Sequence, residues 1–473
     1  MSMSRIGLVM TTLAIAGCAV GPDYQHHDAE QPQWHSAVPH GGKVEDLNKW
    51  WEQLNDPLLS KLILDTEQGN PTLDMALAKL NEARAIETAS TGVYYPTLSL
   101  GASSTRSRMA FGQQVILQTN NKVGFDASWE LDLFGKNRRT AQAAQARFTA
   151  SEVSWHDARI SLAAEVADVY VELRQCEAGL ATAEQNKQSR ATVRELTDLK
   201  AGAGLASPMD AARAQVSEAE GDSAYSAKQG ECARVLNRLT ALTGIDRDTL
   251  TTRLADKSGQ IPVPNETDVS SVAAHALSQR PDVAIAEMNL AAASADIGAS
   301  KAAMYPSLTL LGSIASNHIS QGGQSVVVPT WSFGPSLSIP LFSGGRASAN
   351  VDASEARYDY AQASYKKTVR EAVRNVEDSL VRLNVANDRA KSAHQAQDRY
   401  QQLFNATQAR YDSGLSNRMA LEDARRTWLQ SQDNAAAMER ERVSSWIALY
   451  KALGGGWERV ARTDKLAEND SKQ

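Results

Sequence analysis

The 473-residue sequence has no run of about 18 apolar residues, the length a membrane-spanning helix needs, and its mean hydropathy is −0.38. A helical integral membrane protein is thereby excluded, but a β-barrel is not. Positive charge is not in excess: Lys+Arg number 49 against Asp+Glu 55, a net charge of −6, which excludes a sequence-independent nucleic-acid binder. Aromatics, at 6%, are thin for a large conventional core, and 29 glycines with 14 prolines are too few for a fibrous chain. No Ser/His/Asp, Cys/His, Walker or GxGxxG arrangement stands in a strand-to-helix context, so no catalytic residue is expected. His26, His27, His35 and His40 crowd the N-terminal segment without zinc-site spacing, and the ten methionines form no cluster of soft ligands. Neither a metal site nor a cofactor is expected.

What is present begins with an export signal. Arg5 precedes the apolar run Ile6 to Ile15, and Ala16-Gly17-Cys18 follows, giving the charged, apolar and small-residue regions of a secretory leader. A thiol directly after the small pair resembles a bacterial lipoprotein signal, in which Cys18 becomes the first mature residue and carries acyl chains. Residues 1–17 are then the signal peptide and 18–60 a lipid-anchored N-terminal segment. Ala19, where an Asp would suggest inner-membrane retention, implies by resemblance to lipoprotein sorting the outer membrane.

The chain then repeats itself. Pro71 and Pro281, Leu80 and Leu290, Tyr95-Pro96 and Tyr305-Pro306, and Gly204-Leu205 and Gly414-Leu415 each stand 210 positions apart, so one architecture is used twice. Repeat 1 covers 61–260 and repeat 2 covers 271–455. Ile261-Pro262-Val263-Pro264-Asn265 opens a non-helical linker over 261–270, and 456–473 form a tail.

Each repeat carries two kinds of element. Val123, Phe125, Ala127, Trp129, Leu131 and Leu133 alternate with Gly124, Asp126, Ser128, Glu130 and Asp132; Trp331, Phe333, Leu337, Ile339 and Leu341 alternate with serine and glycine. Strand pairs are expected over 97–133 and 307–341. A soluble sandwich strand alternates in the same way, but ten-residue segments of this kind also suit a transmembrane barrel. Four strands cannot close one, since the smallest have about eight, so several chains must contribute if this is a barrel. Helical hairpins follow at 136–243 and 346–453. Leu162, Val166, Val169, Leu173, Cys176 and Leu180 step by four and three, as do Val369, Val373, Val376, Leu380 and Leu383, the spacing of a coiled-coil seam. Arms of some 65 residues reach about 100 Å, far beyond the width of a globular domain. Their tips are 201–208 and 413–417.

Cys176 lies 28 residues before Gly204 and Cys232 lies 28 after it, so an antiparallel hairpin sets both at one height on the seam. In an oxidising periplasm this predicts a disulfide, with two buried thiols as the alternative.

Cys18-Ala19-Val20-Gly21-Pro22-Asp23-Tyr24, Trp50-Trp51, Asp56-Pro57-Leu58, Asn70-Pro71 and above all Gly124-Phe125-Asp126-Ala127-Ser128-Trp129-Glu130-Leu131-Asp132-Leu133-Phe134-Gly135 resemble the TolC-like outer-membrane efflux channels, in the lipoprotein branch that includes NodT and OprM. The resemblance covers nearly the whole mature chain. It implies a mixed α/β membrane protein: a homotrimer whose chains each give four strands to a 12-stranded outer-membrane β-barrel, continued by a periplasmic α-helical coiled-coil barrel. It implies a passive exit duct for drugs or other small toxic compounds, joined to a periplasmic adaptor and an inner-membrane pump of the RND type. A type I protein-secretion duct or a copper/silver duct would share the fold, and a structural coiled-coil lipoprotein would lack the pore. By the same resemblance, Asp210, Arg410, Tyr411 and Asp423 match gate positions at the periplasmic entrance, with Arg410 and Asp423 as an inter-protomer latch. Ala420 departs from the pattern at a position often acidic in relatives, which weakens any charged ring there. Gly204, Leu205, Ala206 and Ser207, with Gly414, Leu415, Ser416 and Asn417, are the expected adaptor-contact tips.

Overall fold

The computed structural model describes residues 19–24, 47–111, 114–264, 280–455 and 457. Cys18, the signal segment, the four N-terminal histidines, most of the expected linker and nearly all of the tail lie outside the described residues. In chain order the elements are α1 (Pro57–Gly69), α2 (Pro71–Thr91), β1 (Thr97–Phe111), β2 (Gln114–Leu131), α3 (Lys136–Gly202), α4 (Pro208–Thr243), α5 (Arg247–Leu254), α6 (Pro281–Ala302), β3 (Ser307–Gln321), β4 (Gln324–Ser338), α7 (Arg346–Asp412) and α8 (Arg418–Ala452). A 3-10 turn at Leu47–Leu54 precedes α1, and another at Gly92–Tyr94 precedes β1. The chain divides into two compact units, one built from residues 1–28, 78–153 and 285–367, the other from 29–77, 154–284 and 368–473.

The first unit holds one antiparallel sheet of order β1-β2-β3-β4, which leaves β1 and β4 as unpaired edges. Register puts Leu100, Phe125, Ile314 and Trp331 in one row across all four strands. Leu98, Ala127, Gly312 and Phe333 form the next row of the same face. This apolar face is bare: Leu98 is 71% exposed, Trp331 80% and Phe333 74%. The opposite face carries Ser99, Asp126, Ser313 and Ser332 in register. Strands β1 and β2 are longer than their alternating apolar stretches, because pairing continues past Ala102 and Val123 through a region rich in serine, threonine and asparagine where the hydropathy pattern fades. At the other end, β4 stops at Ser338, so Ile339 and Leu341 lie beyond the strand expected to contain them.

The long sequence motif explains itself locally. A Cβ on Gly124 would stand 2.5 Å from the Ala315 Cβ and 2.6 Å from the Ile314 carbonyl oxygen, so only glycine lets β2 and β3 approach there. Trp129 donates its indole N–H to the Tyr94 carbonyl at 2.9 Å. Asp132 accepts from the amides of Asn137 (3.1 Å) and Arg138 (2.7 Å) and so opens α3. Gly135, at φ +79°, makes the turn between them. Phe134 stacks on Tyr305 at 4.9 Å, and its carbonyl accepts the Val20 amide at 3.1 Å. The segment 19–24 is fixed further by Arg139, which donates to Asp23 at 2.7 Å, and by the Tyr24 hydroxyl on Glu287.

The second unit buries the seam. Leu162, Val166, Val169, Leu173 and Cys176 of α3 are buried, as are Val376, Leu380 and Leu383 of α7. Val369, Val373 and Leu180 are only half buried, so the α7 seam runs through Ala372 instead. Trp50, Trp51 and Leu54 join the core beside Trp446, with Trp50 and Trp446 edge to face at 5.8 Å. Asp56 caps α1 by accepting from Leu58, and it also accepts the Tyr170 hydroxyl at 2.7 Å; burial and that bond push the phenol well above its ordinary range. Asn70 donates to the Leu242 carbonyl at 2.7 Å and accepts from Thr72 at 2.8 Å, which ties α2 to the end of α4. Tryptophan pair, Asp-Pro and Asn-Pro motifs are therefore structural anchors.

Cys176 and Cys232 are bonded, with Cα atoms 5.5 Å apart and a sequence separation of 56. Closing such a loop contributes on the order of 4 kcal/mol through the unfolded chain. A Cys176→Ser/Cys232→Ser protein is expected to unfold at a lower denaturant midpoint, and reductant is expected to lower the wild-type midpoint to the same value. Equal midpoints with and without reductant would contradict the bond's contribution.

Candidate functional site: the helical hairpin tips

Both tips are built by the same backbone rule. Gly204 and Gly414 adopt left-handed φ of +70° and +75°. Each allows a Schellman ending: the Leu205 amide reaches the Lys200 carbonyl and the Leu415 amide reaches the Arg410 carbonyl, both at 2.8 Å. Ser207 and Asn417 then cap the returning helices, with Pro208 in the first turn of α4. Leu205 and Leu415, 79% and 72% exposed, project at the two turns. Gly204, Leu205, Ala206, Ser207, Gly414, Leu415, Ser416 and Asn417 thus all stand at the hairpin turns.

Asp210 belongs to a capping box. Its amide donates to the Ser207 hydroxyl at 3.1 Å, and its carboxylate accepts from the Ser207 hydroxyl at 2.7 Å and amide at 3.2 Å. These bonds, hydroxyl first, hold the carboxyl below its usual range. Asp423 pairs with Arg426, three residues on in the same helix. Tyr411 lies under the Arg418 guanidinium, 5.8 Å from the ring centroid. Within one chain, no bond joins Arg410 to Asp423 among the described residues.

The structure adds a cluster that the sequence reading passed over. Glu422 is fully buried and accepts the Ser189 hydroxyl of α3 at 2.6 Å. Arg418 and Arg425 flank it at 2.8 and 3.3 Å. This joins the first hairpin to the second near the tips, and it links Glu422 through Arg418 to Tyr411. The signal was present in Arg418 and Arg425, placed four before and three after Glu422 on one helix face, but the neighbouring Asp423 drew attention as the acidic position.

A sheet with one bare apolar and one polar face, on a chain whose other unit is made of helical hairpins, defines an outer-membrane channel protein. The chain belongs to the outer membrane efflux protein family, whose profile matches residues 62–245 and again 272–455, both ends displaced by 210 (272 − 62, 455 − 245). Over 466 residues it is 30% identical to the solvent efflux pump outer membrane protein SrpC of Pseudomonas putida, covering 94% of this chain and 97% of that protein. The solved outer-membrane channel OprN superposes with a TM-score of 0.80 at 28% identity, covering 93% of this chain and all of that one. The open state of the MtrE outer membrane channel of Neisseria gonorrhoeae superposes at 0.76 and 25% identity, covering 94% and 100%. The protein is thus an efflux protein of the outer membrane, from a transport family and not an enzyme family.

Two outcomes follow for the tips. Glu422→Ala is expected to destabilise the protein by about 2 kcal/mol, because it strands buried hydrogen-bonding partners, whereas Asp423→Ala shifts stability by no more than about 0.5 kcal/mol. Comparable denaturant midpoints for the two variants would show that the buried cluster does not hold the hairpins together. Because the Asp210 carboxyl is held low, its stabilisation of the first turn of α4 is complete above the ordinary carboxylate pKa of about 3.9 and is lost as pH falls through the lowered value. Hydrogen exchange at the Asp210 amide should therefore stay protected at about pH 5 and open only as pH falls below the ordinary carboxylate pKa of about 3.9, and Ser207→Ala should abolish that dependence. Persistence of the dependence in the variant would rule out the capping box as its source.

Proposed function

We propose that three copies of this chain form one passive exit duct, each giving its four strands to a 12-stranded barrel and its hairpins to a periplasmic helical barrel. The observation that carries this is the open four-stranded sheet. Its apolar face suits lipid and its polar face suits water, yet both edges are unpaired, and a transmembrane sheet must close. The equal lengths of β1 and β3, 15 residues each, and of α3 and α7, 67 each, support a duplicated unit, so three copies give a sixfold-like wall.

Cys18 carries the lipid in this reading, and no other cofactor is needed. Support comes from Val20, two residues on, which is bonded to the Phe134 carbonyl just past the end of β2, where the sheet would meet the inner-facing membrane surface. Hairpin tips with exposed Leu205 and Leu415 suit a periplasmic adaptor, and the adaptor in turn joins an inner-membrane pump of the RND type. The solvent-efflux role in the name of SrpC favours small organic compounds as cargo over metal ions or exported proteins. In this reading Arg410, whose side chain makes no hydrogen bond or ion pair within its own chain among the described residues, latches the entrance by pairing with Asp423 of a neighbouring copy.

Purified protein in planar bilayers is expected to conduct ions in steps, with small steps for the wild type and larger ones for Arg410→Ala and Asp423→Ala. A protein that never conducts would contradict the duct, and unchanged conductance in both variants would contradict the latch alone. Palmitate labelling should mark the wild type and be absent from Cys18→Ser; label retained in the variant would move the anchor elsewhere.

A further inference from the structure

The sheet's bare face sorts its charges in a way that the duct itself does not require. Counting rows by register, the face that bears Leu100, Phe125, Ile314 and Trp331 holds no Asp or Glu among the described residues of any strand. Asp126 and Glu130 both fall on the opposite face. The ionisable side chains of the bare face are Arg106, Arg108 and His318, and all three are exposed. Both arginines stand on the edge strand β1, two positions apart and about 7 Å from each other along the strand. Neither side chain makes a hydrogen bond or an ion pair with any described residue.

Their height is equally specific. On β2 the apolar run from Leu131 to Val123 spans nine residues, about 30 Å of strand and roughly 22 Å of vertical height once tilted by about 40°, close to the apolar band of a membrane barrel. The row above it is polar on three strands, Ser104 with Asn121 and His318, and ends on Val327 of β4. Next comes Arg106 with Thr119 and Ser320, and then Arg108 beside Leu117. These rows lie toward the hairpin turns, at the end opposite to the one from which the helices leave, and so face the outer leaflet if the helices stand in periplasm. The other open edge, β4 (Gln324–Ser338), carries no Asp or Glu at any position, so closure with a second copy pairs neither arginine with an acid of that strand in any register.

A guanidinium pair at headgroup depth, with hydroxyls and an imidazole beside it and no acid near, has the chemistry of a phosphate clamp. We propose that Arg106 and Arg108, assisted by His318, bind the phosphate groups of an anionic glycolipid in the outer leaflet, one clamp per chain around the barrel. The proposal rests on the channel reading for its orientation.

The test uses the full-length channel in nanodiscs of phosphatidylcholine doped either with bis-phosphorylated lipid A or with lipid A stripped of its phosphates. Native mass spectrometry counts the lipid A retained on each channel after release from the disc, and bilayer conductance is recorded in parallel. Wild-type protein is expected to retain the phosphorylated form about tenfold more than the stripped form, and high salt is expected to reduce the preference. Arg106→Gln/Arg108→Gln should lose the preference while conducting as the wild type does, and Arg106→Lys/Arg108→Lys should keep part of it. Equal retention of the two lipids by wild type, or a full preference in the glutamine variant, overturns the clamp. A wild-type chain that neither inserts nor conducts overturns the channel reading and the clamp together, and the missing conductance separates that result from a failure of the clamp alone.

Discussion

An unpaired backbone N–H or C=O in hydrocarbon costs several kcal/mol, and this single constraint organises the molecule. A chain of four strands has two edges, here β1 and β4, and cannot satisfy them alone. In the proposed duct further copies supply the closure, and once they close a ring, a space opens at its centre. In that ring the polar face with Ser99, Asp126 and Ser332 would meet water while Leu98, Trp331 and Phe333 would meet lipid. The helices obey a related constraint. Arms of 67 residues cannot bury themselves in one compact core, so each exposes much of its length, and the low hydropathy of the chain follows from that.

Rigidity is concentrated where the chain changes from one kind of structure to the other. Asp132, Gly135, Phe134 and Tyr305 fix the strand-to-helix junction, and the segment behind Cys18 is bonded to the same place through Val20 and Arg139. The tips are simpler. Each is a glycine ending and an N-cap, with exposed leucines and short-range charge pairs, which leaves their surfaces free for partners. Glu422, buried against Ser189, ties the two hairpins of one chain near their tips.

Much of this was legible in the sequence, for physical reasons that differ by element. The strands were visible because lipid and water impose a strict period of two, and their outer ends were not, because beyond Ala102 and Val123 polar residues are mixed with Met109, Val115, Ile116 and Leu117 and keep no period of two. The hairpins and the Cys176–Cys232 pair were visible because glycine tips fix the antiparallel register. The α7 seam was read through Val369 and Val373, whereas packing runs through Ala372, since alanine-rich faces offer several equivalent stripes. Glu422 was missed because a buried acid and an exposed one stand side by side, and only three-dimensional packing tells them apart. Whether Asp423 faces Arg410 depends on another chain, which no single sequence or single-chain fold contains.

The central claim is that the two open edges of the sheet pair with each other between copies. Single cysteines placed at Ser99, Gly101 or Ser103 of β1, combined with one at Ser332, Gly334 or Ser336 of β4, test it by oxidation in the outer membrane followed by non-reducing electrophoresis. The account predicts that at least one combination yields covalent trimers and nothing larger, while each cysteine alone does not. Chains that remain monomers in every combination, or that form open ladders without a limit at three, would contradict it.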